Sequence, residues 1–184
     1  METSLATKTF GGVPTLRFRY LGPADVDELA DLWAALHEQH TSTAPHLEDM
    51  ITRVTADESW RRRRAQYLAW LREPETLAVV AERNGESVGY AMVTVRENQQ
   101  GSWDRGSRVA VVQTLSVHPD HTGTGVGSGL LEELRRQVGG MGIRDLELTA
   151  LATSSEDIRF FEQEGFRPFV TTMVSRIGAF SGHD

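Results

Sequence analysis

One stretch constrains this chain more than any other: a glycine-rich turn between an apolar strand and an amphipathic helix. It lies in Thr114-Leu-Ser-Val-His-Pro-Asp-His-Thr-Gly-Thr-Gly-Val-Gly-Ser-Gly-Leu-Leu131. An apolar run enters through Val117, and Pro119 ends it. Glycines follow at Gly123, Gly125, Gly127 and Gly129. Val126, Leu130, Leu131, Leu134 and Val138 then recur at helical spacing, and Gly139-Gly140 closes the pattern. The glycines therefore stand at a helix N-terminus. The first turn of a helix has N–H groups without intrahelical acceptors and the positive end of the helix dipole, and glycine lets a ligand approach the backbone. This arrangement suits an anion. Two other phosphate signatures fail. There is no Gly-x-x-x-x-Gly-Lys, and Gly-x-Gly-x-x-Gly would need glycine at Ser128 or Leu130. A tight turn that binds nothing is the alternative reading of the loop alone.

A second stretch narrows the choice. Leu146-Glu-Leu148-Thr-Ala150 alternates as a strand, and Thr153-Ser-Ser-Glu156 reads as a capping box that opens a helix. Ile158, Phe160 and Phe161 supply its apolar side, and Gly165-Phe166 ends it. The two stretches together resemble the GNAT superfamily of N-acetyltransferases. That family's coenzyme A loop is Arg/Gln-x-x-Gly-x-Gly/Ala after a strand ending Val-x-Pro. Here Val117-His-Pro119 precedes Thr122-Gly-Thr-Gly125-Val-Gly127, with Thr122 in place of the Arg/Gln. The departure removes a side-chain contact and keeps the backbone cradle. The family's second segment is Asn-x-x-Ala-x-x-Phe-Tyr-x-Lys-x-Gly-Phe. Aligned on Gly165-Phe166, Ser154 takes the Asn position, Asp157 the Ala position and Phe161 the Tyr position. The resemblance covers residues 77–170 well and residues 14–76 by element order only.

The resemblance implies acetyl-CoA as co-substrate. Its pyrophosphate would lie on the N–H groups of Thr122, Gly123, Thr124, Gly125, Val126, Gly127 and Ser128. Its pantetheine arm would pair with the backbone of Leu115, Ser116 and Val117, as an added strand in a cleft whose other side is Leu146 to Ala150. Ser154 would keep one of the hydrogen bonds of the family's Asn, and Phe160 and Phe161 would line the thioester end. The implied reaction is direct attack of a neutral amine on the thioester. That chemistry calls for a base, an oxyanion donor and an acid for the thiolate. Phe161 has no proton to give, and the family's frequent strand carboxylate falls at Gln113, an amide. Catalytic residues are therefore unassigned from sequence, and catalysis by positioning stays open.

The rest of the chain fits one domain. Its 184 residues, 39% hydrophobic and 24% charged, suit a single globular core. The expected divisions are a disordered segment over 1–13, one acetyltransferase domain over 14–178 and a tail over 179–184. With no cysteine, disulfides, thiolate catalysis and cysteine-ligated zinc are excluded. A net charge of −7 argues against nucleic acid and favours a cationic acceptor such as an amine. No apolar run approaches a membrane span and no signal peptide is legible, so a cytoplasmic protein, monomer or homodimer, is expected.

Thr15 to Leu21 alternates as a first strand, and Gly22-Pro23 starts a helix with Val26, Leu29, Ala30, Trp33 and Leu36 on its buried stripe. Residues 38–58 are expected to be a loop with a short helical piece near Leu47 to Val54. A second helix runs from Glu58 to Leu71. Asn84-Gly85 between two alternating runs signals a type I′ hairpin. Arg108 to Val117 is the central strand, and Phe169 to Ile177 is expected to be the last. The fold class is α+β: a mixed, mostly antiparallel, twisted sheet of six to seven strands with helices on both faces.

Other residues carry weaker signals. Arg61 to Arg64 point in four directions on a helix and read as a solvated face. His37-x-x-His40 and His118-x-x-His121 lack the carboxylate that would complete a zinc site, so no metal is expected. His37, Glu38 and His40 follow the first helix, where the resemblance puts the acceptor and where a base would be sought. Trp33, Trp60 and Trp70, with Tyr20, Tyr67 and Tyr90, read as core, and Trp103 in a polar loop is a candidate contact. Three readings remain: an N-acetyltransferase, a non-catalytic acyl-CoA-binding module, or a structural domain whose loop holds nothing.

Overall fold

The computed structural model describes residues 7–8, 15–43, 51–99, 102–175 and 177. The elements are β1 (Thr7–Lys8), β2 (Leu16–Tyr20), a 3₁₀ turn (Pro23–Leu29), α1 (Ala30–Thr43), α2 (Ala56–Trp70), β3 (Leu77–Arg83), β4 (Glu86–Glu97), β5 (Arg108–Val117), a 3₁₀ turn (Pro119–His121), α3 (Val126–Gly140), β6 (Leu146–Leu148) and α4 (Ser155–Gln163). The strands pair in the order β1-β2-β3-β4-β5-β6, antiparallel except for the parallel pair β5–β6.

β1 contributes only two residues, which leaves five strands of three residues or more. The expected count of six to seven is not matched, because residues 169–175 form no strand. That segment has β-branched residues, but strand propensity acts only against a partner edge, and β6 offers three residues. Val170 and Met173 stand exposed there instead. Of the expected N-terminal segment only Thr7 and Lys8 are described. The expected tail, and most of the helical piece near Leu47 to Val54, lie outside the described residues; Ile51 to Val54 are not helical.

Both faces of the sheet are covered, so its central strands read as continuous apolar runs. In β3, Val79 and Ala81 point into one layer with Val126, Leu130, Leu131, Leu134 and Val138 of α3. Ala78 and Val80 point into the other, with Val26, Leu29, Leu32 and Tyr67 of the α1/α2 side. Each buried leucine of α3 contributes about 1.5–3 kcal/mol. The β3–β4 hairpin turns as its sequence dictates: Asn84 and Gly85 have φ of 55° and 82°, the positive pair that a type I′ turn needs.

α1 runs further than its sequence suggests. It continues through His37, Glu38 and His40 to Thr43, so these residues lie within the helix rather than after it. Hydroxyls of the last turn bond back to carbonyls one turn earlier, in addition to the backbone ladder. Thr41 Oγ1 donates to the Glu38 carbonyl at 3.0 Å, and Ser42 and Thr43 donate to that of Gln39 at 2.9 and 2.7 Å.

Candidate active site

Two features converge at the C-terminal end of β5. The first is a free strand edge. β5 pairs with β4 from Arg108 to Val117, but with β6 only at Ala110, Val111 and Val112. Beyond Val112 the parallel strands part, and Leu115, Ser116 and Val117 keep a partner on one side only. The cleft's second wall is shorter than expected, since β6 ends at Leu148 rather than Ala150. A bulge adds to the splay: Met92 and Val93 oppose Thr114 and Val112, which leaves Gln113 as the extra residue. The Gln113 amide donates to Thr94 Oγ1 at 2.9 Å.

The second feature is the glycine turn. Gly123 and Gly125 have φ of 72° and 86°, values that favour glycine. Gly125 is the N-cap of α3 and has no side chain to cap it. Among the described residues, no acceptor takes the N–H groups of Gly123, Gly125, Val126, Gly127 or Ser128. A Cβ placed on Gly125 meets nothing within 4 Å, so the turn opens onto free space. Five unpaired donors at the start of a 15-residue helix make an anion cradle. Gly127 differs, because a Cβ there would lie 2.9 Å from Phe160 Cζ. It serves the approach of α4 to α3, and the sequence alone does not separate these two glycine roles.

α4 borders the cleft. Its expected Thr153 capping box does not form: the N-cap is Ser154 and no side chain caps the helix. Ser154 is buried, and its hydroxyl donates to Asp157 Oδ2 at 2.5 Å, a local bond that competes with capping. Phe160 and Phe161 are half-buried against the α3 layer, their ring centroids 5.2 Å apart. Phe161 also meets Phe166 edge-on at 5.8 Å. Ser128 of α3 donates to Glu164 Oε1 at 2.5 Å and ties the two helices together.

α1 bridges β5 and α4. Ser116 Oγ donates to the Leu32 carbonyl at 3.1 Å, and Gln39 Nε2 donates to Asp157 Oδ1 at 3.3 Å. Seven residue steps separate these anchors, about 10 Å of rise. His37 lies in that span and His40 just beyond it, both on the same face as Trp33. His40 is exposed on the helix surface; partial desolvation by the atoms around it lowers its pKa, Arg63 and His37 push the same way, and Asp157 opposes them. A lowered pKa leaves more of the ring neutral near pH 7, the form that accepts a proton.

The tyrosines have structural partners. Tyr67 and Tyr90 are fully buried, with hydroxyls 2.9 Å apart, and the Tyr67 hydroxyl lies 2.6 Å from Thr114 Oγ1. Burial raises both pKa values. Tyr20 donates to Glu133 and accepts from Gln137 on α3, and burial followed by the Glu133 carboxylate raises its pKa as well.

The arginine run is dispersed, as its sequence suggests. Arg61 and Arg62 pair with Glu58, Arg64 pairs with Asp27, and Arg63 stacks 4.6 Å from the Trp33 ring. Trp103 is exposed and meets Phe169 edge-on. One residue of the glycine turn's surroundings has no sequence signal. Arg83, at the end of β3, donates to Thr124 Oγ1 at 2.9 Å and to the Thr124 carbonyl at 3.1 Å.

Comparison with known proteins agrees with this geometry. No curated protein matches the sequence. The solved structure of a GCN5-related N-acetyltransferase from Ralstonia eutropha JMP134 superposes with a TM-score of 0.69 at 18% identity, covering 89% of this chain and 99% of that one. The aminoglycoside N-acetyltransferase AAC(6')-Iy in complex with CoA gives 0.66 at 15% identity, over 93% and 100% of the two chains. A ribosomal-protein-alanine N-acetyltransferase from Brucella melitensis biovar Abortus 2308 gives 0.62 at 20%, over 89% and 99%. At these identities the likeness establishes the fold. The model of the Acetyltransferase (GNAT) family matches residues 32–166, well over half of the chain. The chain therefore belongs to the GNAT family of acetyltransferases.

Proposed function

We propose that residues 14–178 form one N-acetyltransferase domain, which moves the acetyl group of acetyl-CoA to a primary amine of a small molecule or protein by direct attack. The observation that carries this reading is the continuity of a free β5 edge with the uncapped N-terminus of α3. The donor set fits acetyl-CoA. Of the expected donors, the N–H groups of Thr122 and Thr124 are taken by the Pro119 and His121 carbonyls, so those of Gly123 and Gly125 to Ser128 hold the pyrophosphate, Leu115, Ser116 and Val117 pair with the pantetheine amides, and Phe160 and Phe161 face the thioester end. The bound co-substrate supplies the activated acetyl group. Ser154 offers its oxygen only as an acceptor, since its proton is engaged by Asp157. The face of α1 that carries His37 and His40 borders the acceptor side, and a base is to be sought there. The net charge of −7 agrees with a cationic amine.

The test is an amine panel with acetyl-CoA, read as the appearance of free CoA thiol. The protein has no cysteine to add background. Turnover of at least one amine supports the reading. CoA binding without turnover of any amine would favour a non-catalytic acyl-CoA-binding module, a reading kept open by Phe161 and Gln113, which supply neither acid nor base.

Phe161 sharpens the catalytic part. Phe161→Leu should lower the rate only modestly and cost about 1 kcal/mol or somewhat more of stability, because it trims a half-buried ring contact. Phe161→Tyr should fold and stay active. The pH–rate profile should rise with amine deprotonation and show no falling limb near a tyrosine pKa of about 10. A falling limb that vanishes on mutating Tyr20, Tyr67 or Tyr90 would assign the acid to a tyrosine and overturn this view.

A further inference from the structure

Arg83 is a buried cation with no anion. Only 8% of it is exposed, and among the described residues no carboxylate pairs with it. Its partners are the Thr124 hydroxyl, the Thr124 carbonyl and, at 3.4 Å, His121 Nδ1. Its Nε is buried without any partner. Other arginines of the chain behave differently: Arg19, Arg105 and Arg136 each meet at least one carboxylate. Burying an unpaired charge is costly, and a fold rarely does so without a counter-charge in reach. All three of the groups that Arg83 touches belong to the glycine turn, directly before Gly125. That turn contains no lysine or arginine of its own from His118 to Gly129.

We propose that Arg83 is the positioning residue and counter-charge of the phosphate turn. It holds Thr124 from behind, which sets the left-handed step at Gly125 and aims the free N–H groups of Gly125 to Ser128. Its charge supplies the positive potential that the turn's own sequence lacks, Thr122 standing where the family has Arg or Gln. The anion it awaits is the pyrophosphate of the acyl donor, so the inference rests on the function proposed above. It adds that recognition of the nucleotide end depends on a side chain 41 residues earlier in the chain.

The experiment compares two acyl donors on the full-length protein: acetyl-CoA, and S-acetyl-pantetheine, which lacks the pyrophosphate and nucleotide. In Arg83→Gln, KM for acetyl-CoA should rise roughly tenfold to a hundredfold. The kcat with either donor, and KM for S-acetyl-pantetheine, should stay within about twofold. Arg83→Lys should recover part of the acetyl-CoA affinity, since it restores charge without the two-pronged grip on Thr124. Arg83→Met provides the stability readout. Without ligand its Tm should equal or exceed that of the unmodified protein, because an unpaired buried charge is gone. Inorganic pyrophosphate should raise the Tm of the unmodified protein and leave that of Arg83→Met unmoved. Equal KM increases for both donors, or a pyrophosphate shift retained in Arg83→Met, would overturn the proposal. Unmodified protein that turns over acetyl-CoA while Arg83→Gln shows an unchanged KM would overturn this inference alone. Unmodified protein that binds neither CoA nor pyrophosphate would overturn it together with the function.

Discussion

Gly125→Val is expected to lower CoA affinity by about a hundredfold or more while leaving a folded protein. Two effects combine. The residue has φ of 86°, and a β-branched side chain in that region is strained by about 1–2 kcal/mol. Space around the added atoms is open, so they meet no other part of the protein. They occupy the room above the uncapped N–H groups at the start of α3, where the pyrophosphate is proposed to lie. For a chain of this length the strain corresponds to a fall in Tm of roughly 2–8 °C. Calorimetric titration and a thermal melt check both parts. Gly127→Val should behave differently. Its Cβ would press on the Phe160 ring at 2.9 Å and push α4 from α3. Unchanged affinity in a well-folded Gly125→Val would show that the phosphates bind elsewhere.

Gly89→Val is expected to be the most destabilising of the substitutions considered. Gly89 on β4 pairs with Val117 on β5. A Cβ there would stand 2.7 Å from the Ser116 carbonyl oxygen, 2.9 Å from Val126 Cγ1 and 3.4 Å from Leu130 Cδ1. The first contact is with backbone, which cannot rotate aside as a side chain does. Relief requires moving the last residues of β5 or lifting the first turn of α3. Overpacking of this kind costs about 1–3 kcal/mol. The displaced atoms also carry the proposed pantetheine edge, so affinity for acetyl-CoA should fall together with Tm. Gly89→Ala should show the same two effects in smaller measure. A Gly89→Val protein with unaltered melting and binding would mean that β4 and β5 separate here at no cost.

What the sequence makes legible is local. Asn84-Gly85 specifies its hairpin because two positive φ values are needed within two residues. The apolar spacing from Val126 to Val138 and the glycines before it specify α3 and its open N-terminus. Features that depend on a partner distant in the chain are not legible. The bulge at Gln113 exists only in the register of β5 against β4. Arg83 is an ordinary cation beside a turn until folding brings it to Thr124. Ser154 and Thr153 compete for one cap, and the outcome turns on Asp157 taking the Ser154 hydroxyl. Residues 169–175 have the composition of a strand, but the terminal strand β6 offers an edge only three residues long. The last turn of α1 looks like loop because it is built of threonine and serine, residues whose side chains bond the local backbone and also favour turns.

Titration of the unmodified full-length protein with CoA, followed by heat and by Tm, tests the central claim most directly. The account predicts saturable binding of one CoA per chain, a rise in Tm with ligand, and loss of both in a cooperatively melting Gly125→Val. Absence of heat and of any thermal shift at CoA well above micromolar concentration would contradict it.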